Sequence, residues 1–236
     1  MVMKLVKTFL SKRPTSLSFM MGVISLVLMT LFFGANPESF SANGFLVYER
    51  GEYWRAFTST LLHADLNHLA HNAFFLLGLS TLLHNYFGFW VFPVLSLIAG
   101  GIINLIALKI YPPAVHLVGV SGVIYFMASF WLTSYMLIER RHKILSRFIY
   151  ATGITLIFLF PQVFQPEVSY LAHGLGFIVG IPFAILYFAF NFKRIRSAEE
   201  WVETKKDPIE LYDIELEQSD YRFQNEGQGE NNSNLH

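Results

Sequence analysis

Six stretches of this chain approach the length that a lipid bilayer demands of a spanning helix, and no other feature narrows its fold as much. They run roughly from Ser16 to Ala35, His68 to Phe87, Phe89 to Ile110, Val118 to Leu137, Phe148 to Phe164 and Val168 to Phe192. A hydrocarbon core about 30 Å thick needs about 20 apolar residues per helix, and every backbone polar group inside it must be satisfied within the protein. A soluble domain would have to bury all six stretches at once. Composition agrees with the membrane: 53% of the residues are hydrophobic, only 14% are charged, and phenylalanine occurs 24 times. The expected class is an all-α polytopic membrane protein with six transmembrane helices.

Basic residues orient the bundle, because they are retained on the cytoplasmic side. Lys4, Lys7, Lys12 and Arg13 precede the first span, Arg140, Arg141, Lys143 and Arg147 lie between the fourth and fifth, and Lys193, Arg194 and Arg196 follow the sixth. The opposite loops carry only Arg50, Arg55 and Lys109. Both termini are therefore expected in the cytoplasm. The basic head of the first span resembles that of a signal peptide, but its long apolar run and the five spans behind it favour a retained helix.

Three regions follow: a cytoplasmic N-terminal segment (1–15), a membrane domain (16–192) and a cytoplasmic tail (193–236). Residues after Ser197 hold 11 of the 17 acids and end in GQGENNSNLH, so the tail reads as solvated and partly disordered, with Trp201 to Leu216 as a candidate helix. The chain has no cysteine, which excludes disulfides, thiolate metal sites and a thiol nucleophile. No internal repeat is evident.

An ionisable or strongly polar side chain in hydrocarbon is costly without a partner, so each one within a span is a candidate for function. Three clusters qualify. In HADLNHLAHN, His68 and Asn72 are four residues apart on one helix face, and both can donate hydrogen bonds. The competing reading has Asp65 or Asn67 capping the helix and the histidines at the headgroup level; taken alone, the segment favours it. In GVSGVIYF, Ser121 stands between glycines just after Pro112 and Pro113. A helix beginning near Val118 would put Ser121 in its first turn, where free N–H groups and the dipole favour negative charge. Alone, this stretch favours a small-residue packing face, and it does not match the G-x-S-x-G elbow of soluble hydrolases, because Val123 takes the last position. In AHGLGFIVG, His173, Gly176 and Gly180 share one helix side, so the histidine is directed at a closely packed neighbour rather than at lipid; the competing reading is a packed histidine with one hydrogen bond to a carbonyl.

Serine becomes a nucleophile when a base takes its proton, and a neutral imidazole is the usual base. The six spans contain no Asp or Glu, so any catalysis here rests on a Ser121–His173 dyad. In that arrangement Tyr125, one turn below Ser121, packs flat on His173, and His68, Asn72 and the Ser121 N–H donate to an oxyanion.

These residues resemble the rhomboid family of intramembrane serine proteases. WRAFTSTLLHADLNHLAHN is similar to the family's Trp-Arg loop and H-x4-H-x3-N helix, at Trp54, Arg55, His63, His68 and Asn72. GVSGVIY resembles its G-x-S-G segment with the following tyrosine, at Gly119, Ser121, Gly122 and Tyr125, and AHGLGFIVG resembles its A-H-x2-G-x3-G helix at Ala172, His173, Gly176 and Gly180. The resemblance covers residues 16 to 192. It implies a six-helix fold with the fourth helix surrounded by the others and Ser121 at the floor of a water-filled cavity open to the non-cytoplasmic side. It also implies a first loop, about Asn36 to Asn67, lying partly in the outer leaflet on Trp54 and Arg55. The implied activity is endoproteolysis of single-span membrane proteins near the outer face, through an acyl-enzyme on Ser121 with His173 as base and then acid. One departure stands out: many relatives carry a glutamate four residues before a glycine at the end of the second helix, bracing the first loop, and here His84 precedes Gly88.

Other functional classes fit less well. A rhomboid-like protein that binds membrane helices without cutting them usually lacks the serine or the histidine, and both are present. A metalloenzyme using His63, His68 and His71 lacks an H-E-x-x-H and an in-span carboxylate base, and a transporter leaves the GVSG and AHGLG segments unexplained. The expectation is a multi-pass protein of the cell membrane, acting on transmembrane substrates with no metal, cofactor or nucleic-acid partner.

Overall fold

The computed structural model describes residues 1–159 and 169–204. The chain forms two units, Lys7–Glu199 and a smaller one in which Met1–Val6 joins the residues from Glu200 onward. In the smaller unit, strand β1 (Val2–Lys7) pairs with strand β2 (Glu200–Thr204) in a two-stranded sheet, and Thr204 Oγ1 donates to the Val2 carbonyl at 3.2 Å. Trp201 is thus in a strand rather than at the start of the expected helix. Trp, Val and Thr suit a pleated surface, and the pairing segment lies at the other end of the chain, where no local pattern reveals it. Residues 205–216 of that expected helix, and the rest of the acidic tail, lie outside the described residues.

The larger unit is helical. Helix α1 (Ser16–Phe33) is capped by the Thr15 side chain, which accepts from the Ser18 N–H at 3.2 Å. The first loop contains two single turns, α2 (Pro37–Phe40) and α3 (Arg55–Thr58). Helix α4 (Leu66–Phe87) is capped by Asp65, which accepts from the His68 N–H at 2.8 Å, and ends at Gly88 with φ +82°. The expected third span begins as a helical turn at Trp90–Leu95 and continues as α5 (Ser96–Ile110). It is interrupted at Phe92, whose angles are extended ahead of Pro93. Then come α6 (Ser121–Ile138), α7 (Ile144–Leu159), α8 (Tyr170–Phe190) and the short α9 (Phe192–Arg196).

Among the described residues, four helical segments are long and apolar enough to cross a membrane: Ser16–Phe33, Trp90–Ile110, Ser121–Ile138 and Tyr170–Phe190. Helix α4 has 22 residues, but His68, His71, Asn72, His84 and Asn85 dilute its apolar character. Helix α7 has a shorter apolar run, Ile144–Leu156. The expected fifth span continues over residues 160–164, and the sixth starts at Val168; both stretches lie outside the described residues.

Helix α6 is the centre of the unit. Of its 18 residues 13 are buried, against 3 of 18 in α1 and 5 of 21 in α8. Helices that are apolar all round have no hydrophobic stripe to orient them, so close backbone approach decides which faces meet. Helix α8 packs on α6 through Gly176 and Gly180. A Cβ at Gly176 would overlap the Gly122 carbonyl, and one at Gly180 would overlap Ser129 Oγ and the Phe126 carbonyl. In the same way, a Cβ at Gly22 of α1 would stand 2.8 Å from Thr81 Oγ1 of α4.

The first loop and the segment between α5 and α6 are stitched together, and this fixes the approach to α6. The Ala42 carbonyl accepts from the Leu117 N–H at 2.7 Å in an antiparallel bridge, and the Ser59 carbonyl accepts from the Gly119 N–H at 2.9 Å. Gly119 has φ +110°, a conformation that side chains with a Cβ rarely adopt. Helix α6 consequently starts at Ser121, three residues later than the expected Val118.

Candidate active site

Ser121 is the first residue of α6, and the first helical bond is from the Ile124 N–H to the Val120 carbonyl. The N–H groups of Ser121, Gly122 and Val123 therefore emerge at the positive end of the helix, beside the serine hydroxyl. Ser121 itself is buried.

Helix α8 brings His173 to this level. Ala172 lies against Gly122, with its carbonyl oxygen 3.6 Å from where a Gly122 Cβ would be. One turn below Ser121, the Tyr125 ring lies flat on the His173 imidazole, centroids 4.3 Å apart and planes within 10°. Tyr170 meets the same imidazole edge-on at 6.5 Å. His173 is 5% exposed, and its Nε2 has no hydrogen-bond partner among the described residues. A buried imidazole nitrogen without a partner is available for a proton.

Helix α4 supplies the opposite wall. A Cβ on Gly119 would stand 2.7 Å from His68 Cε1, 2.9 Å from His68 Nε2 and 3.8 Å from Asn72 Nδ2. Glycine at 119 thus makes room for the His68 imidazole, and Asn72 Nδ2 lies beside it at ordinary contact distance. Of the competing reading of HADLNHLAHN, the Asp65 cap is present, and His68 and Asn72 face Gly119, two residues before Ser121. Asn72 is 1% exposed, and its Nδ2 has no partner among the described residues, so the site holds an uncommitted donor. His63 meets the His68 ring edge-on at 5.1 Å. Burial first, then the neighbouring His68, pushes the His63 imidazole down to about 4, so it stays neutral near pH 7.

Arg55 makes its contacts within the first loop. Its guanidinium donates to the Glu38 carbonyl at 2.9 Å and the Ser41 carbonyl at 3.1 Å, pairs with Glu52, and lies 4.7 Å from the centre of the Trp54 ring. Arg55 thus ties the first loop together, with the Trp54 ring against its guanidinium. Two further contributors are absent from the residues singled out above. Asn104 of α5 donates from Nδ2 to the Ala56 carbonyl at 3.0 Å and to Ser59 Oγ at 3.2 Å, and Gly101 makes room for the Phe57 ring. An asparagine in an otherwise apolar span is the signal that finds the first.

His84 departs from expectation. Its Nδ1 is 3.0 Å from Ser18 Oγ in the first turn of α1, next to Asn85, which accepts from the Thr15 N–H at 3.1 Å. It braces α1 and not the first loop, because α4 is long enough to separate its last turn from the loop packed at its start. Among the described residues no three His, Asp or Glu side chains group as metal ligands.

A serine at a buried helix N-terminus, a histidine stacked on an aromatic ring of the same helix and an imidazole and an amide from a third element thus face one another in a multi-pass helical membrane protein. The Rhomboid domain family model matches residues 50–190, and the chain belongs to the rhomboid family. That family consists mostly of intramembrane serine proteases acting on transmembrane substrates within the bilayer, and it includes inactive members. No curated protein matches the chain.

Proposed function

We propose that this protein is an active intramembrane serine endopeptidase that cleaves single-span membrane proteins near the outer membrane face. The observation that carries the reading is the convergence of three helices on one point: Ser121 at the start of α6, His173 stacked on Tyr125, and His68 with Asn72 beside Gly119. Ser121 Oγ attacks the scissile carbonyl as His173 Nε2 takes its proton. The developing oxyanion accepts hydrogen bonds from Asn72 Nδ2, His68 and the Ser121 N–H. Protonated His173 then gives the proton to the leaving amine, and water hydrolyses the acyl-enzyme in a second cycle of the same transfers. With no carboxylate in the spans, the flat Tyr125 ring sets the imidazole orientation.

The topology is six spans, α1, α4, α5, α6, α7 and α8, with both ends cytoplasmic. The basic residues before the first span, between the fourth and fifth and after the sixth support the cytoplasmic side for both ends. The site then opens toward the non-cytoplasmic face. The test is cleavage of a model single-span substrate by purified protein in detergent or vesicles. Ser121→Ala and His173→Ala each abolish cleavage while leaving folding and insertion intact, and a fluorophosphonate labels wild type at Ser121. Absence of labelling from pH 6 to 9, with a cellular phenotype unchanged by Ser121→Ala, would favour a helix-binding, non-proteolytic rhomboid.

A further inference from the structure

His116 lies in the segment leading to Ser121 and belongs to none of the groups assigned above. Its Nδ1 is 2.9 Å from Ser41 Oγ, and its Nε2 is 3.0 Å from Asn43 Nδ2. Ser41 and Asn43 are both buried, and they flank Ala42, the residue bridged to Leu117. The imidazole is therefore a clasp between the first loop and the segment that carries Gly119 and Ser121.

Its protonation state follows from its neighbours. Asn43 Oδ1 accepts from the Leu46 N–H at 2.8 Å. A backbone N–H can only donate, so the atom turned toward His116 is the Asn43 amide nitrogen, which also can only donate. His116 Nε2 must then be an unprotonated acceptor, and Nδ1 carries the proton and donates to Ser41 Oγ. This clasp is built for a neutral imidazole. Protonation would set an Nε2–H against an amide N–H, and turning the amide over would only set the same conflict against Leu46.

The surrounding charges do not rescue the protonated form. In the first loop, Arg55 donates to the Ser41 carbonyl and is paired with Glu52, while Glu38 contributes its carbonyl to the same guanidinium. At the end of α5, Lys109 lies over the Tyr48 ring at 4.1 Å. Among the described residues no carboxylate reaches either ring nitrogen.

We propose that His116 is a positioning residue that holds the first loop against the Leu117–Gly119 segment only while neutral, so that acidification releases the approach to Ser121. Imidazole is the side chain whose charge ordinarily changes between pH 5 and 8. The consequence for cleavage rests on the proteolytic reading above; the clasp itself does not.

Amide hydrogen exchange of the full chain in detergent tests it, read on peptides covering residues 41–47 and 115–120 and corrected for intrinsic rates. Protection at Leu117 and Ala42 is expected to fall at least tenfold between pH 7.5 and pH 5 in the wild type. It stays level in His116→Gln, which keeps an acceptor toward Asn43 without titrating. In Asn43→Asp the protonated ring gains an acceptor and protection survives at pH 5, so this variant decides the matter even if the glutamine variant does not fold. Equal protection of wild type at both pH values, an undiminished loss in His116→Gln, or a wild-type-like loss in Asn43→Asp overturns the proposal. Exchange is read without substrate, so a wild type that cleaves nothing yet shows the acid-dependent loss overturns the proteolytic reading alone.

Discussion

Tyr125 and His173 sit ring on ring, 4.3 Å apart and 10° from parallel, across the α6–α8 contact. Offset stacking restrains an imidazole in the plane that a hydrogen-bonded carboxylate would otherwise set. Tyr125→Phe keeps the ring and is expected to retain cleavage within about threefold, whereas Tyr125→Ala lowers kcat by about tenfold or more with a smaller change in KM, the pattern of a lost orientation. Steady-state kinetics on a single-span substrate separates the two.

The glycines of α8 are not equivalent. A Cβ at Gly176 or Gly180 meets the backbone of α6, while one at Gly174 meets nothing within 4 Å. Gly176→Ala and Gly180→Ala are each expected to destabilise by about 1–3 kcal/mol or more through overpacking, and Gly174→Ala to be neutral or slightly stabilising. Unfolding curves in a fixed detergent provide the comparison.

Arg55 satisfies two loop carbonyls and pairs with Glu52 from a buried position. Arg55→Ala leaves those acceptors unmet and is expected to cost about 2–4 kcal/mol. Arg55→Lys does not restore it, since a point charge cannot replace the planar fork. Protease susceptibility of residues 36–60 reports the loss directly.

Asn104 acts through Ser59, whose carbonyl receives the Gly119 N–H. Asn104→Leu removes the donor to Ser59 Oγ and leaves the Ala56 carbonyl only the 3.4 Å bond from Ser59 Oγ; it is expected to cost about 1 kcal/mol and to lower kcat more than it raises KM, because the loop shift reaches Ser121 through the backbone. Unchanged kcat in a folded variant would sever this link.

His63 makes stability depend on pH. Its folded form resists protonation down to about 4, while the unfolded chain takes up the proton near 6.5. The unfolded state thus binds more protons between these values, and stability present above pH 6.5 is lost progressively as pH falls toward 4, by at most about 3 kcal/mol. In His63→Phe, which keeps a ring beside His68, the slope of stability against pH over this window flattens.

Much of the candidate site was legible because bilayer physics makes polar residues conspicuous. Ser121, His173, His68 and Asn72 stand out from apolar spans, and the glycine spacing on α8 marks the face that meets α6. Other contributors were hidden for physical reasons. His116 lies in a loop, where a histidine carries no penalty and thus no signal, and its role comes from Ser41 and Asn43, more than seventy residues away in sequence. His84 carries the spacing of the family's glutamate but contacts Ser18 of α1, which only the length and packing of α4 determine. The start of α6 at Ser121 depends on Gly119 adopting φ +110° against the first loop, a tertiary contact that overrides local helix propensity.

By itself, the amino-acid sequence determined the membrane class and the serine, histidine and glycine pattern of the rhomboid family, because solvation in hydrocarbon acts residue by residue and needs no knowledge of neighbours. The tertiary structure decided which faces meet. Helices that are apolar on every side have no polar face to set their rotation in a bilayer. The stacking of Tyr125 on His173 and the approach of His68 to Gly119 therefore arise only when small residues let the backbones come close, and the clasp at His116 only when two distant loops meet.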